Sequence, residues 1–260
     1  MKIIAIIPAR MASSRFPGKP MKLIHKIPMI GHCFIRTSKS KLLTDCYVAT
    51  PDNSIHNYIK SIGGYSIITS HKHKMCHDRV VEAVKKIEKF KKIKYDIILN
   101  VQGDLPMVFP DMVDKLIQPL IKSKTAQTTT MVDQILEKKD FFDSNRVKVV
   151  IDKNKDLIFV SREPIPSIKK TKSQFKKYKH VAIRAYRRTF FNIISKLKMT
   201  PIEKIEAIDE LRILENGFKI RTVFTNRITE TVDTQKDLNK VIQMMSKDSL
   251  LKKYKKKYSI

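Results

Sequence analysis

Short apolar runs alternate with amphipathic stretches through the first hundred residues. Ile3-Ile4-Ala5-Ile6-Ile7 contains no polar residue and stops at Pro8. It predicts a strand buried on both faces, the pattern of a parallel sheet. Asp45-Cys46-Tyr47-Val48-Ala49-Thr50 and the segments 65–69 and 95–101 also read as strands, although each carries polar residues. Helical spacing separates them. Residues 28–38 place Ile30, Cys33, Phe34 and Thr37 on one face, and residues 78–90 place Val81, Val84 and Ile87 on another. A helix over 54–62 ends at Gly63-Gly64 in the manner of a C-cap. The loop 9–20 lies between the first strand and the first helix. Strand and helix alternate about every 20–25 residues, which predicts a parallel sheet covered by helices.

Beyond residue 120 the pattern loosens. Residues 126–132, 147–152, 157–161 and 181–186 read as strands, as does 220–225. Residues 201–216 read as one helix closed by Gly217, and 234–245 as a helix with Thr234 at its N-cap. No repeat or long linker appears. The expected organisation is one domain over 1–248. An extension at 155–200 accompanies it, and a Lys-rich, mobile tail covers 249–260.

Composition narrows the classes. The chain has 260 residues, 42% of them hydrophobic, enough for a core. No apolar run approaches the roughly 18–20 residues that span a bilayer, and residues 1–10 are no signal peptide. Three Cys without CxxC spacing argue against a disulfide framework or a zinc knuckle. His71, His73, Cys76 and His77 fit no standard zinc pattern. A soluble cytoplasmic protein is expected. The net charge of +28 raises nucleic-acid binding as a rival class. Yet 41 of the 53 cations are Lys and they are scattered, without the stacking aromatics of a strand-binding groove. Abundant Lys and Ile beside only 6 Gly fits an A/T-rich coding bias.

Three segments carry chemistry. Pro8-Ala9-Arg10-Met11-Ala12-Ser13-Ser14-Arg15-Phe16-Pro17-Gly18-Lys19-Pro20 follows the first strand, where open α/β sheets bind ligands. Its three cations, its hydroxyls and its backbone N–H groups suit a triphosphate, though an ordinary basic loop reads the same way. It is not a Walker A loop. Asn100-Val101-Gln102-Gly103-Asp104 ends a strand on an acid suited to Mg²⁺, or to an Asx turn. Thr231-Val232-Asp233-Thr234 offers a second acid before a helix, a metal ligand or a cap.

Together these segments resemble the 3-deoxy-manno-octulosonate (KDO) cytidylyltransferase family. The match begins with Ile7-Pro8-Ala9-Arg10 and Ser14-Arg15-Phe16-Pro17-Gly18-Lys19-Pro20. Val101-Gln102-Gly103-Asp104, Val147-Lys148-Val149-Val150, Ser161-Arg162, Pro164-Ile165-Pro166, Glu210-Leu211-Arg212 and Val232-Asp233-Thr234 follow in order. The resemblance implies a three-layer Rossmann-like α/β nucleotidyltransferase fold on a mostly parallel mixed sheet, and a homodimer. It implies CTP and KDO as substrates, pyrophosphate release, Mg²⁺ as cofactor and a role in lipopolysaccharide synthesis. Pro8, Ala9, Arg10, Ser14, Lys19, Arg79 and Gln102 would bind the nucleotide. Arg10, Arg15, Lys19 and Asp104 would act in catalysis, and Asp104 with Asp233 would hold the metal. Arg162 would clamp the sugar carboxylate and His180 would contact sugar hydroxyls. Arg184, Asp209 and Glu210 fall at the part of the pocket that faces the sugar.

The chain departs from the family pattern at four places. His-x-Ser-Gly-Thr-Asp/Glu-Arg reads His73-Lys74-Met75-Cys76-His77-Asp78-Arg79, and Asp-Glu-Pro reads Asp104-Leu105-Pro106. Ile-Tyr-x-Tyr-Arg reads Ile183-Arg184-Ala185-Tyr186-Arg187, and Leu-Glu-Gln-Leu-Arg reads Ile208-Asp209-Glu210-Leu211-Arg212. A carboxylate in place of an amide loses two donors and gains a charge, which suits a substrate amine such as that of 8-amino-3,8-dideoxy-KDO. Alternatively, Arg184 neutralises Glu210 and KDO itself is the acceptor. Another ulosonic acid, or a sugar 1-phosphate with a different nucleotidyltransferase activity, are the remaining enzyme readings.

Overall fold

The computed structural model describes residues 1–12, 16–73, 75–170 and 175–259. The chain divides into two compact units, Met1–Asp114 with Ile228–Ile260, and Lys115–Arg227.

The first unit is built on the strands that the apolar runs predict. β1 (Ile3–Pro8) is buried along its whole length. A small hairpin follows, β2 (Leu23–Ile24) against β3 (Ile27–Pro28). Then come α1 (Met29–Thr37), β4 (Asp45–Thr50), α2 (Asn53–Ser61), β5 (Tyr65–Ile68), α3 (Cys76–Lys91) and β6 (Ile97–Val101). β1 lies between β4 and β6, parallel to both, and β5 pairs parallel with β4. The spatial order is therefore β6-β1-β4-β5. The chain winds outward from β1 to β5, then returns to the other side of β1 as β6. The carboxyl ends of β1 and β6 thus flank a topological switch point, where such sheets bind ligands.

Helix α4 (Pro110–Lys122) carries the chain out of this unit. No helix was expected there, although Met112, Val113, Leu116, Ile117 and Leu120 keep helical spacing and are all fully buried. Pro110 and Pro119 had masked the pattern.

In the second unit β7 (Thr128–Gln134) is followed by α5 (Lys138–Phe142), β8 (Lys148–Ile151), β9 (Leu157–Ser161) and β10 (Tyr178–Arg187). α6 (Arg188–Ile194), α7 (Pro201–Glu206), α8 (Glu210–Glu215) and β11 (Arg221–Thr225) complete it. β10 runs antiparallel to β7 and β8, β9 antiparallel to β8, and β11 parallel to β7. The single helix expected over 201–216 is two. Ala207 adopts a left-handed conformation (φ 54°) and its N–H caps Glu203, which ends α7. Glu203 in turn accepts two guanidinium bonds of Arg212, at 2.8 and 2.7 Å.

The chain re-enters the first unit through α9 (Gln235–Met245) and α10 (Ser249–Tyr258). Thr234 caps α9 as expected, in a capping box with Asp237. The tail expected to be mobile is instead the helix α10. Asp248 accepts from the N–H groups of Leu250 and Leu251, and Leu251 and Tyr254 are buried. Leu251, Tyr254 and Tyr258 recur at helical spacing between the lysines, a stripe that the Lys count conceals. No described helix is long and apolar enough to cross a membrane.

Candidate active site

A cleft of about 290 Å³ opens at the carboxyl ends of β1 and β6. Pro8, Ala9 and Arg10 form one wall, Gln102, Gly103 and Asp104 another, and Lys19, Arg79 and Asp233 also line it. Of the ten residues expected to hold nucleotide or metal, or to act on them, eight line this cleft, Asp233 among them. Ser14 and Arg15 lie outside the described residues.

Close approach of two backbones shapes this end of the sheet. A Cβ on Gly103 would lie 2.7 Å from the Pro8 carbonyl oxygen and 3.3 Å from the Ala9 Cβ. Only glycine lets the loop after β6 lie against the end of β1 and present Asp104 to the cleft. Val232 N–H donates to the Asp104 carbonyl at 3.0 Å, which brings the segment before α9 alongside. Asp237 accepts from the N–H groups of Asp233 and Thr234 at 3.1 and 2.9 Å. Capping therefore falls to Thr234 and Asp237, and the Asp233 carboxylate points elsewhere.

Both carboxylates meet at one ammonium. Lys19 Nζ donates to Asp104 Oδ2 at 2.8 Å and to Asp233 Oδ1 at 3.2 Å. Burial disfavours the charge on Lys19, but the two carboxylates outweigh it and hold the ammonium above its ordinary pKa. The second Asp104 oxygen, Oδ1, is buried and has no hydrogen-bond partner. Two carboxylates beside a cation-lined cleft, one of them with an oxygen that lacks a partner, fit a Mg²⁺ ion, which takes one or two carboxylates and fills its sphere with other oxygens. Among the described residues no group of three or more His, Cys, Asp or Glu could hold a metal.

The opposite wall is cationic. Arg79 is buried at the first turn of α3 and donates to the Ser70 carbonyl at 3.1 Å, and Arg10 reaches the His73 carbonyl at 3.5 Å. Burial holds the Arg79 guanidinium below its ordinary pKa. His73, Met75 and Cys76 also line the cleft. The departure Met75-Cys76-His77 thus stands at the start of α3, with its first two side chains on the cleft. The sequence had not pointed to Asp52 or Glu82. Asp52 accepts from Met11 N–H at 2.8 Å and secures the loop after β1. Glu82 pairs with His73 and Lys86 and accepts from Ser70 N–H. Burial opposes its ionisation, yet these bonds push it down to about 2. No motif marked either acid: Asp52 acts on a backbone N–H 41 residues away, and Glu82 on Ser70 and His73 in the loop before α3.

The residues expected to face the sugar lie in the second unit. Glu210 is 1% exposed and sits 2.8 Å from His180 Nε2 and 3.2 Å from Arg184 Nε. Arg184 also meets Asp209 at 3.0 Å, and Thr130 bonds His180 at 2.9 Å. Burial opposes ionisation of Glu210, but Arg184 and His180 reverse that and push it down to about 2. A break in the β10–β7 register between Val181 and Arg184 accompanies the cluster. Arg162 donates to the Glu206 carbonyl at 2.9 Å and to that of Ser144 at 3.2 Å. The buried Lys148 ammonium holds the Arg162 carbonyl.

A cleft at the switch point of a parallel sheet, lined by cations and closed by two carboxylates, defines an α/β nucleotidyltransferase. The chain belongs to the cytidylyltransferase family, whose match spans residues 4–220, and within it to the 3-deoxy-manno-octulosonate cytidylyltransferases. It is 38% identical over 257 residues to the 3-deoxy-manno-octulosonate cytidylyltransferase of Geobacter metallireducens, covering 95% of this chain and 99% of that one. It is 37% identical to that of Fusobacterium nucleatum subsp. nucleatum, covering 96% and 99%. A solved CMP:2-keto-3-deoxy-manno-octonic acid synthetase complexed with CTP matches with a TM-score of 0.85 at 33% identity, over 95% of this chain and 100% of that one. A putative glucose-1-phosphate thymidylyltransferase from Bacillus anthracis shares the fold alone, at 16% identity and a TM-score of 0.66 over 94% and 96%. The mostly parallel mixed sheet with flanking helices is the nucleotidyltransferase fold that the sequence predicts.

Proposed function

We propose that this chain transfers CMP from CTP to the anomeric 2-hydroxyl of KDO, releasing pyrophosphate and supplying lipopolysaccharide synthesis in the cytoplasm. The convergence of Lys19, Asp104 and Asp233 in one cation-lined cleft carries the reading. The sugar oxygen attacks the α-phosphorus in line. A C–O–P bond forms, the bond to the β-phosphate oxygen breaks, and the hydroxyl proton is lost to solvent. Asp104 and Asp233 hold Mg²⁺, and Arg10 and Lys19 cradle the triphosphate and stabilise the leaving pyrophosphate by preorganised charge. Bound Mg²⁺ supplies neutralisation of phosphate charge, which eases the approach of an anionic sugar. Arg79 and Gln102 contact the nucleotide. Arg162 and His180 hold the sugar acid, and a homodimer is the working assembly.

The partners of Glu210 favour KDO over an amino sugar. Its carboxylate is already paired with the Arg184 guanidinium, so it does not recognise a substrate amine. Pyrophosphate release is measured with CTP, Mg²⁺ and either KDO or 8-amino-3,8-dideoxy-KDO. The expected result is a preference for KDO, and Asp104→Asn lowers kcat by about 100-fold or more, the scale of losing a transition-state charge partner. Turnover of neither sugar would defeat the reading, and preference for the amine would defeat the account of Glu210. Sedimentation velocity tests the dimer.

A further inference from the structure

The position between Asp104 and Asp233 is held by the cation of another residue, Lys19, whose Nζ lies 2.8 and 3.2 Å from the two carboxylates. We propose that Lys19 is a stand-in cation: without nucleotide it occupies the place between the two acids, and an incoming triphosphate draws it away and opens that place to the divalent ion. The inference rests on the proposed function and deepens it.

The argument is geometric and electrostatic. One ammonium satisfies one oxygen of each acid, while Asp104 Oδ1 has no partner. The Lys19 side chain is 13% exposed and the carboxylates are 23% and 19% exposed, so the three charges interact in a poorly screened place. A divalent ion and the ammonium cannot both sit in bonding contact with the same two oxygens. Each therefore opposes the other. Lys19 begins the short 3-10 turn Lys19–Met21 and lines the same cleft as Arg10 and Gln102. A triphosphate there offers the ammonium new oxygen partners in exchange for the carboxylates. Nucleotide and metal then bind with positive coupling, and that coupling is reciprocal. In the cell such an arrangement keeps the acids paired until nucleotide arrives and keeps free metal from occupying the site.

Mn²⁺ binding followed by electron paramagnetic resonance tests this without turnover. Wild type is expected to bind Mn²⁺ weakly alone and about tenfold more tightly with CTP, within the usual range of coupling between sites. Lys19→Met is expected to bind Mn²⁺ alone about tenfold more tightly than wild type, with little further gain from CTP. Arg10→Met removes a unit charge from the same cleft but frees no carboxylate. It should change Mn²⁺ affinity less than about threefold, the scale of a screened charge. Circular dichroism melts establish that each variant is folded. Equal Mn²⁺ affinity of wild type and Lys19→Met without CTP would overturn the proposal, as would an equal rise in Arg10→Met. Failure of wild type to bind Mn²⁺ even with CTP would instead overturn the functional reading beneath it.

Discussion

At the scale of single residues, glycines at two positions separate geometry from conformation. Gly103 lies where a Cβ would press to 2.7 Å on the Pro8 carbonyl, a backbone atom that cannot rotate away. Gly103→Ala should displace the loop that carries Asp104, cost about 1–3 kcal/mol in stability, and lower kcat/KM. Gly63 has open space around its would-be Cβ, but its φ is +75° at the end of α2. Gly63→Ala should cost about 1 kcal/mol through the left-handed conformation and leave kinetics unchanged. Thermal melts and steady-state kinetics on both variants make the comparison. Wild-type kinetics in Gly103→Ala would show that the contact does not position the acid. The same scale explains what was readable in the sequence. Lys19, Asp104 and Asp233 stood out as a set only through the family resemblance, since alone their segments read equally as a basic loop, an Asx turn and a cap. That Asp233 would face Lys19 rather than cap α9 was not legible, since this depends on Asp237 taking over the cap.

At the scale of elements, α10 shows how a charged helix is held. Arg36 in α1 donates to Asp248 at 2.5 Å and to the Val108 carbonyl at 2.7 Å. His32 Nε2–H donates to the Ile24 carbonyl at 2.8 Å, which leaves Nδ1 to accept from Tyr254 at 2.7 Å. That network needs a neutral imidazole. Burial, together with the charges of Arg36 and His25, pushes His32 down to about 4, against the opposing pull of Ile24 and Asp248. Below its ordinary 6.5 the unfolded chain takes up a proton that the folded chain refuses until about pH 4. Stability should therefore fall as pH drops from 6.5 toward 4, by about 3 kcal/mol across the window. His32→Gln should flatten that slope in urea melts taken across this pH range, and parallel slopes in the two proteins would refute the assignment. None of this was legible beforehand, because the partners are 8 and 222 residues from His32 in sequence. The strands were legible for the opposite reason. β1 is an uninterrupted apolar run and β4 an apolar one bounded by Asp45 and Thr50, and neither needs a distant partner to identify it. The split of 201–216 into α7 and α8 was hidden because Ala207, a good helix former, is turned left-handed by its surroundings.

At the scale of the whole molecule, the charge of +28 still needs an account. Few of the cations are tied to the site. Arg10, Lys19 and Arg79 line the cleft, Arg184 is matched by Asp209 and Glu210, and most of the remaining lysines are spread over the surface. Such a surface raises the local concentration of any small polyanion but specifies none. Its reach is set by salt, since the screening length shrinks to about 8 Å at 0.15 M. The apparent KM for CTP should therefore rise several-fold as salt is raised from about 0.02 to about 0.3 M, while kcat stays constant, because the cleft contacts themselves are short and partly buried. Duplex DNA in charge excess distinguishes a general field from a nucleic-acid site. At physiological salt it should neither be retained by the protein nor inhibit pyrophosphate release, since scattered lysines make too few simultaneous phosphate contacts to survive counterion competition. Retention of duplex under those conditions, with a steep salt slope, would mean that the lysines form a second binding surface. A KM indifferent to salt would mean that the net charge plays no part in capturing the nucleotide.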